Sequence, residues 1–513
     1  MLDGDTAFYA KIAKNIYKTG DWLTLRFVHE GDIIDKPPLF MWLTALSFFL
    51  FKVNEFALSL WHSIMAVLTV LFTYLLGRDL FSKRVGIYSA MILLTSGMFF
   101  YLSRTPLMDI PLTFFILLSL YMFIKFEKDK KIIFLYLSSL FAALGTLMKG
   151  PVGLAIPILT ILIYVSWNRV KLFDKPKDYF IHIPLLILLF LIIVMPWFIT
   201  EYLILGKRFI SLFFERHFGR YLHPTDSLPR SEAKPQFDFY SYALQLFLLF
   251  APWSSFLYPA LYYSFKRVEK RKELSFIAIF ALVSILFFSF SLNYKISRYI
   301  LPSFPPLAIL IGTLFVDCLE GKNKLSKLLV IISSSLNLFL IAPLLLFSTI
   351  WLAVTFPKEQ AGYQPIVIPF LICFFLTIII GSFLILIKKY SIGFFTIFFG
   401  TVISILIVIN LLAAYIGEAN PIKTYSLKLN ELAKQGNIII KFKGEEPRHE
   451  YFYIDEKFEY VTDPARLYKL TKENKTIYGI AMDINDLRAF EKRYNKKFDI
   501  LESKGLYILF RLR

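Results

Sequence analysis

Between Ala57 and Ile416 the chain is a succession of apolar runs about twenty residues long, separated by short polar loops. A helix needs a run of that length to cross a hydrocarbon core of roughly 30 Å. Within that core only elements that satisfy their own backbone hydrogen bonds are tolerated. The pattern therefore restricts the chain to a bundle of membrane-spanning helices. Spans are predicted at 57–76, 86–102, 110–125, 132–147, 152–167, 180–199, 240–260, 274–291, 299–316, 328–350, 365–386 and 392–413. With 57% hydrophobic, 18% aromatic and only 19% charged residues over 513 positions, an ordinary soluble domain is excluded.

The net charge of +19 would suggest nucleic acid in a soluble protein. Here the cations gather in alternate short loops: Arg78/Lys83/Arg84, Lys128/Lys130/Lys131, Arg169/Lys171/Lys175/Lys177, Lys266 to Lys272, Lys322/Lys324/Lys327 and Lys388/Lys389. That is the bias of cytoplasmic loops and of contact with anionic lipid, so no nucleic-acid partner is expected. Leu39–Val53 is apolar but short, and reading it as interfacial or re-entrant keeps the charge bias consistent. Both chain ends then face outside. That outcome predicts a further helix ahead of Met1, making thirteen spans in place of about twelve. After residue 416 the composition turns mixed and polar. Strands are expected at Asn437–Lys443, Glu450–Val461 and Leu506–Leu512, with helices at Lys423–Lys434 and Ile484–Tyr494, so residues 417–513 read as a small extracytoplasmic α/β domain. Cys318 and Cys373 lie in or beside apolar segments, with no disulfide or zinc spacing.

Ionisable residues are nearly absent from span centres and collect at the outer ends: Asp5, Lys36, Arg104, Asp109, Lys149, Glu215, Arg216, His217, Arg220, Lys295 and Arg298. A transporter would place some of them at mid-membrane; this distribution favours a site at the outer surface. In the long polar stretch Asp5–Pro38, Phe8, Ile12 and Ile16 recur every four residues, which predicts a short helix lying at the membrane surface. Asp5 opens it, and on the residues alone a helix cap explains it as well as chemistry does. Lys36 stands just before Pro37-Pro38, whose fixed φ restricts it. The remaining histidines, His29, His62, His182, His223 and His449, have no ligand-like spacing and are read as structural.

Asp5, Tyr9-Ala10-Lys11-Ile12-Ala13, Gly20-Asp21-Trp22 and Asp35-Lys36-Pro37-Pro38-Leu39 together resemble the first outer loop of the polyprenyl-phosphate-dependent glycosyltransferases of the GT-C fold, in their aminoarabinose transferase-like or protein O-mannosyltransferase-like branch. Thr6 and Phe8 depart from the pattern, standing where the family has a second acid and an arginine. Arg104…Asp109, Lys149-Gly150-Pro151, Glu215-Arg216-His217 with Arg220, and Lys295…Arg298-Tyr299 resemble further segments of the same family, over roughly residues 1–310. The resemblance implies a transmembrane glycosyltransferase domain over 1–416, with outer-surface helices in 1–56 and 200–239. It also implies a place in the bacterial cytoplasmic (inner) membrane, with the site on the periplasmic side.

The implied substrates are a polyprenyl-phosphate sugar of the undecaprenyl type and a lipid or glycan acceptor such as lipid A. Asp5 would be the catalytic base, assisted by Asp109, directly or through a shared divalent cation. Lys36, Arg216, Arg220 and Lys295 would hold the donor phosphate; Tyr9, Arg104, Lys149, His217 and Tyr299 would contact substrate. The alternatives are a protein O-mannosyltransferase and a transporter or flippase of lipid-linked sugars.

Overall fold

A computed structural model describes residues 4–27, 36–219, 239–267, 271–291, 295–347, 364–419, 421–444, 449–473, 475–504 and 507–512. The chain forms two units, residues 1–20 with 409–513 and residues 21–408. The first helix, expected with the transmembrane domain, thus groups with the C-terminal residues.

In chain order the first helices are α1 (Gly4–Thr19), α2 (Leu39–Phe51), α3 (Glu55–Leu80), α4 (Lys83–Thr95), α5 (Gly97–Ser103), α6 (Asp109–Asp129), α7 (Ile132–Lys149), α8 (Val152–Asn168), α9 (Pro176–Leu205) and α10 (Lys207–Phe214). They continue through Ser241–Leu249, Ser254–Phe265, Lys272–Ser289, Phe304–Leu319, Lys324–Leu336, Gln364–Leu386 and Tyr390–Ala419. Among the described residues nine helices are long and apolar enough to cross a membrane, or ten if α4 and α5 form one span.

Three expected spans differ in form. α4 and α5 meet at a 69° bend. The run 240–260 is two helices with Phe250–Trp253 between them, where Pro252 has no N–H with which to continue the first. α8 has 17 residues, about 25 Å of helix, and contains Pro157. α2, at 13 residues, is shorter still, in keeping with a piece that does not cross.

The two breaks satisfy one another. The Gly97 N–H donates to the Ala251 carbonyl at 2.9 Å, and the Trp253 indole N–H donates to the Thr95 hydroxyl at 2.9 Å. Irregular backbone at membrane depth is tolerated where protein partners take its polar groups. α3 and α4 start where Asn54 and Ser82 side chains accept from the Ala57 and Val85 amides. α7 and α8 cross closely at two glycines: a Cβ on Gly153 would lie 2.1 Å from the Gly145 carbonyl carbon.

The smaller unit carries a five-stranded sheet, β1 (Ile438–Phe442), β2 (Phe458–Val461), β3 (Ile477–Ala481), β4 (Phe498–Lys504) and β5 (Tyr507–Leu512), in the order β2-β1-β3-β5-β4. β1 runs parallel to β2 and β3, while β5 is antiparallel to β3 and β4. Alternation along β1 feeds two cores. Ile440 and Phe442 pack with Leu467, Leu470, Leu487 and Phe490 on one face; Ile439 packs with Tyr425, Leu429 and Ile454 on the other. The expected strand Glu450–Val461 is a short helix, His449–Tyr453, followed by β2, and neither β3 nor β4 was expected.

α1 forms as expected but does not simply lie on a surface. Thr6, Ala7, Ala10, Ile12, Ala13, Lys14 and Ile16 are all buried, around more than one face, because alanines at 7, 10 and 13 let neighbours approach closely where bulkier side chains would hold them off.

Candidate functional site

α6 begins at Asp109, α7 ends at Lys149, and a 3₁₀ turn over Ser297–Ser303 precedes Phe304–Leu319. These three termini converge. Lys149 Nζ donates to Asp109 Oδ1 at 2.5 Å, and Arg298 Nε lies 3.5 Å from Asp109 Oδ2. Asp109 is 4% exposed, and its place in the first turn of α6 adds the positive end of that helix to the two cations. Lys149 Nζ also stands 4.5 Å from the centroid of the Tyr299 ring.

Beyond Lys149 the chain turns at Gly150, with φ +93°. A Cβ there would lie 2.7 Å from His217 Cε1, so glycine is required both by the backbone angle and by the imidazole. His217 sits in a π-helical turn, Glu215–Gly219, that continues α10, and its ring rests 4.3 Å from that of Phe213.

A cavity of about 330 Å³ opens among these residues. Its polar lining is Lys36, Lys149, Arg216, His217, Tyr242, Ser291 and Tyr299; its apolar lining comes from Pro151, Val152, Ala155, Phe214, Phe218, Phe287 and Phe288. Among the described residues no carboxylate lines it. Arg216 is exposed, and among the described residues its guanidinium has no acidic partner. The arrangement is a cationic mouth against an aromatic and aliphatic wall, suited to an anionic head with an apolar tail.

Of the residues singled out in the sequence, Lys36, Lys149, Arg216, His217 and Tyr299 come together around this cavity. Lys295 stands beside it with its donors committed: the ammonium, 6% exposed, donates to the carbonyls of Phe288, Ser289 and Ser291. Burial holds it below the usual lysine range. With three N–H groups spent on three carbonyls, Lys295 closes the end of helix Lys272–Ser289 and has none left for a phosphate.

Arg104 is exposed, lies 5.9 Å from the Phe100 ring centroid and does not reach Asp109, whose ion partners are Lys149 and Arg298. A divalent cation does not fit at Asp109, since two side-chain cations already occupy its oxygens and would repel the ion. Among the described residues no group of three His, Cys, Asp or Glu side chains gathers to hold a metal. Asp5 and Tyr9 belong to the smaller unit, Tyr9 with its ring 5.5 Å from that of Phe8. Arg220 and His223 lie outside the described residues.

Tyr242 and Ser291 escaped sequence reasoning because each sits within or at the edge of an apolar run, where nothing distinguishes it from a packing residue. Tyr242 is held in place by its hydroxyl, which donates to the Ile296 carbonyl at 3.1 Å.

The comparisons agree with this architecture. Residues 35–199 match the family described as dolichyl-phosphate-mannose-protein mannosyltransferase. An uncharacterized protein of Aquifex aeolicus is 29% identical over 505 residues, 95% of this chain and 93% of its own length. The undecaprenyl phosphate-alpha-4-amino-4-deoxy-L-arabinose arabinosyl transferase of Photorhabdus laumondii is 24% identical over 369 residues, which span 70% of this chain and 63% of that enzyme. In fold, the crystal structure of ArnT from Cupriavidus metallidurans bound to undecaprenyl phosphate superposes with a TM-score of 0.77 at 18% identity, covering 100% of this chain and 94% of that one. The helical bundle, its small C-terminal sheet and the convergent polar end define a GT-C-type membrane protein. Within that class the chain is similar to the arabinosyl transferases over 70% of its length and to the mannosyltransferase family over residues 35–199.

Proposed function

We propose that this protein is an integral membrane glycosyltransferase that moves a sugar from a polyprenyl-phosphate donor of the undecaprenyl type to a cell-envelope acceptor such as lipid A. The observation that carries this reading is the cavity whose mouth presents Lys36, Lys149 and Arg216 and whose wall is built from Phe214, Phe218, Phe287 and Phe288. A phosphodiester with an isoprenoid tail has that same division of charge and apolar surface. The arabinosyl transferase relative and the undecaprenyl phosphate-bound ArnT support the choice of donor. The reaction runs at the periplasmic face of the bacterial inner membrane, a side supported by the charge bias of the loops.

Lys36 and Arg216, with Arg220 as a third cation, bind the donor phosphate. Lys149, held by Asp109, stands on the sugar side with His217 and Tyr299. An acceptor hydroxyl oxygen attacks the anomeric carbon as the bond from that carbon to the phosphate oxygen breaks. The polyprenyl phosphate leaves with the electron pair, and the cations take up its growing charge. The acceptor proton passes to the Asp5 carboxylate, with Tyr9 beside it on α1 and Arg104 at the approach of the acceptor. A single displacement inverts the anomeric centre. Asp109, neutralised on both oxygens, holds Lys149 and takes no proton.

The test is transfer by purified protein from a panel of radiolabelled undecaprenyl- and dolichyl-phosphate sugars to a lipid extract and to protein, comparing wild type with Asp5→Asn. Transfer to lipid, lost in Asp5→Asn while undecaprenyl phosphate still raises the melting temperature, is the expected result. Transfer to protein would favour O-mannosylation, which the family match over 35–199 supports as the second reading. No transfer from any donor would overturn both in favour of a flippase.

A further inference from the structure

α1 carries Asp5 in its first turn and Lys14 and Lys18 further along. Asp5 and Lys14 are nine residues apart on one helix, about 14 Å of axis, so whatever fixes Lys14 fixes the direction in which Asp5 is presented. Lys14 is fixed by the C-terminal sequence. Its side chain is 3% exposed; the ammonium lies 2.8 Å from Asp455 Oδ1 and donates at 2.5 Å to the Phe452 carbonyl, at the end of helix His449–Tyr453. Lys18 reaches the same Asp455 oxygen at 2.5 Å from the exposed side. Asp455 itself is anchored, its backbone N–H donating to the Asn430 side chain at 2.7 Å on helix Ile422–Lys434. One carboxylate thus collects two lysines one turn apart on α1, and its loss would leave the buried Lys14 ammonium without its counter-charge, which costs more than losing a pair exposed on both sides.

We infer that Asp455, some 450 residues from Asp5 in the sequence, is a positioning residue for the reaction: through Lys14 and Lys18 it holds α1 in the orientation that presents Asp5. The C-terminal unit is on this account a working part of the catalytic apparatus. This rests on Asp5 as the base. The hold of Asp455 on α1 is separable from that reading, because it is visible without turnover.

The experiment compares Asp455→Asn, Asp455→Glu, Lys18→Gln and Asp5→Asn in the full-length protein in detergent, by amide hydrogen exchange over residues 4–19 and by transfer from undecaprenyl phosphate aminoarabinose to a lipid extract. Asp455→Asn is expected to speed exchange in α1 at least tenfold. It should lower kcat at least tenfold with the donor KM within twofold, and Asp455→Glu should recover most of both. Lys18→Gln, which removes only the exposed half of the contact, should lower kcat two- to fivefold without a folding penalty, and it decides the matter should Asp455→Asn not fold. Unchanged α1 exchange, or unchanged kcat in both Asp455→Asn and Lys18→Gln while Asp5→Asn is inactive, would overturn the inference and leave the proposed function standing. Full activity in Asp5→Asn would instead overturn the assignment of the base.

Discussion

Asp109 and Gly150 show how single residues set this site. Asp109 was legible as a candidate site acid only through its resemblance to a family segment; its chemistry was not, because its partners Lys149 and Arg298 lie 40 and 189 positions away and only the fold brings them together. Removing the charge with Asp109→Asn strands two cations at a largely buried point, a cost of about 3–5 kcal/mol for a broken buried pair. A lower melting temperature in detergent and a drop in transfer of roughly two orders of magnitude are expected, read by thermal shift and product radioactivity.

Gly150 looked like an ordinary turn glycine. Its φ of +93° and the 2.7 Å approach of His217 to a hypothetical Cβ make it a specific requirement. Gly150→Ala should lose transfer through backbone strain of about 1–3 kcal/mol together with the clash. In a His217→Ala background the same substitution should cost less, and a double-mutant cycle on melting temperature measures the difference.

At the scale of elements, apolar period and length located the spans because hydrocarbon thickness dictates both. What they did not reveal was where spans break. Ser96-Gly97 and Pro252 are present as signals, but each lies in an otherwise continuous apolar run. In the smaller unit, β3 is only five residues bounded by polar loops, and the alternating aromatics of Glu450–Val461 mimic a strand although residues 450–453 are helical.

α1 offers a test of its own. Burial, then the neighbouring Lys14 and Lys18 charges, lower the Lys11 pKa to about 8. A lysine whose folded pKa lies below its unfolded value weakens the fold most where it is charged in both states, below pH 8. That penalty fades as pH rises from 8 towards 10.5. Lys11→Met should therefore raise the melting temperature at pH 7, by about 3 kcal/mol of stability at most. The gain should shrink by pH 10, as thermal scans at the two pH values will show.

For the molecule as a whole, charge is segregated along the membrane-spanning helices. Asp109 at the start of α6 and Glu127 near its end are 18 residues apart, about 27 Å, and belong to different networks. Glu127 accepts from the Tyr164 hydroxyl at 2.9 Å, whereas Asp109 serves the cavity. That segregation was readable in the sequence as alternating loop charge; the cavity between those loops was not, since it needs α7, α10 and the helix Lys272–Ser289 side by side. Binding of undecaprenyl phosphate through cations that solvent reaches, Arg216 exposed and Lys36 half-buried, should weaken as salt rises. Lys36→Ala and Arg216→Ala should each weaken it about tenfold in a titration at low ionic strength, and by less at 0.5 M salt.

The mutual hydrogen bonding of the two helix breaks also has a bearing on biogenesis. The Gly97 amide finds its acceptor in the Ala251 carbonyl, 154 residues later in synthesis, and the Thr95 hydroxyl, which donates to Met91 in its own helix, accepts from Trp253. Until that later segment leaves the ribosome, the bend between α4 and α5 sits in the membrane with the Gly97 amide unmatched. A nascent chain stopped before residue 251 should therefore carry an unfinished span at the bend between α4 and α5, which lipid alone cannot complete and which membrane-insertion chaperones are suited to shelter.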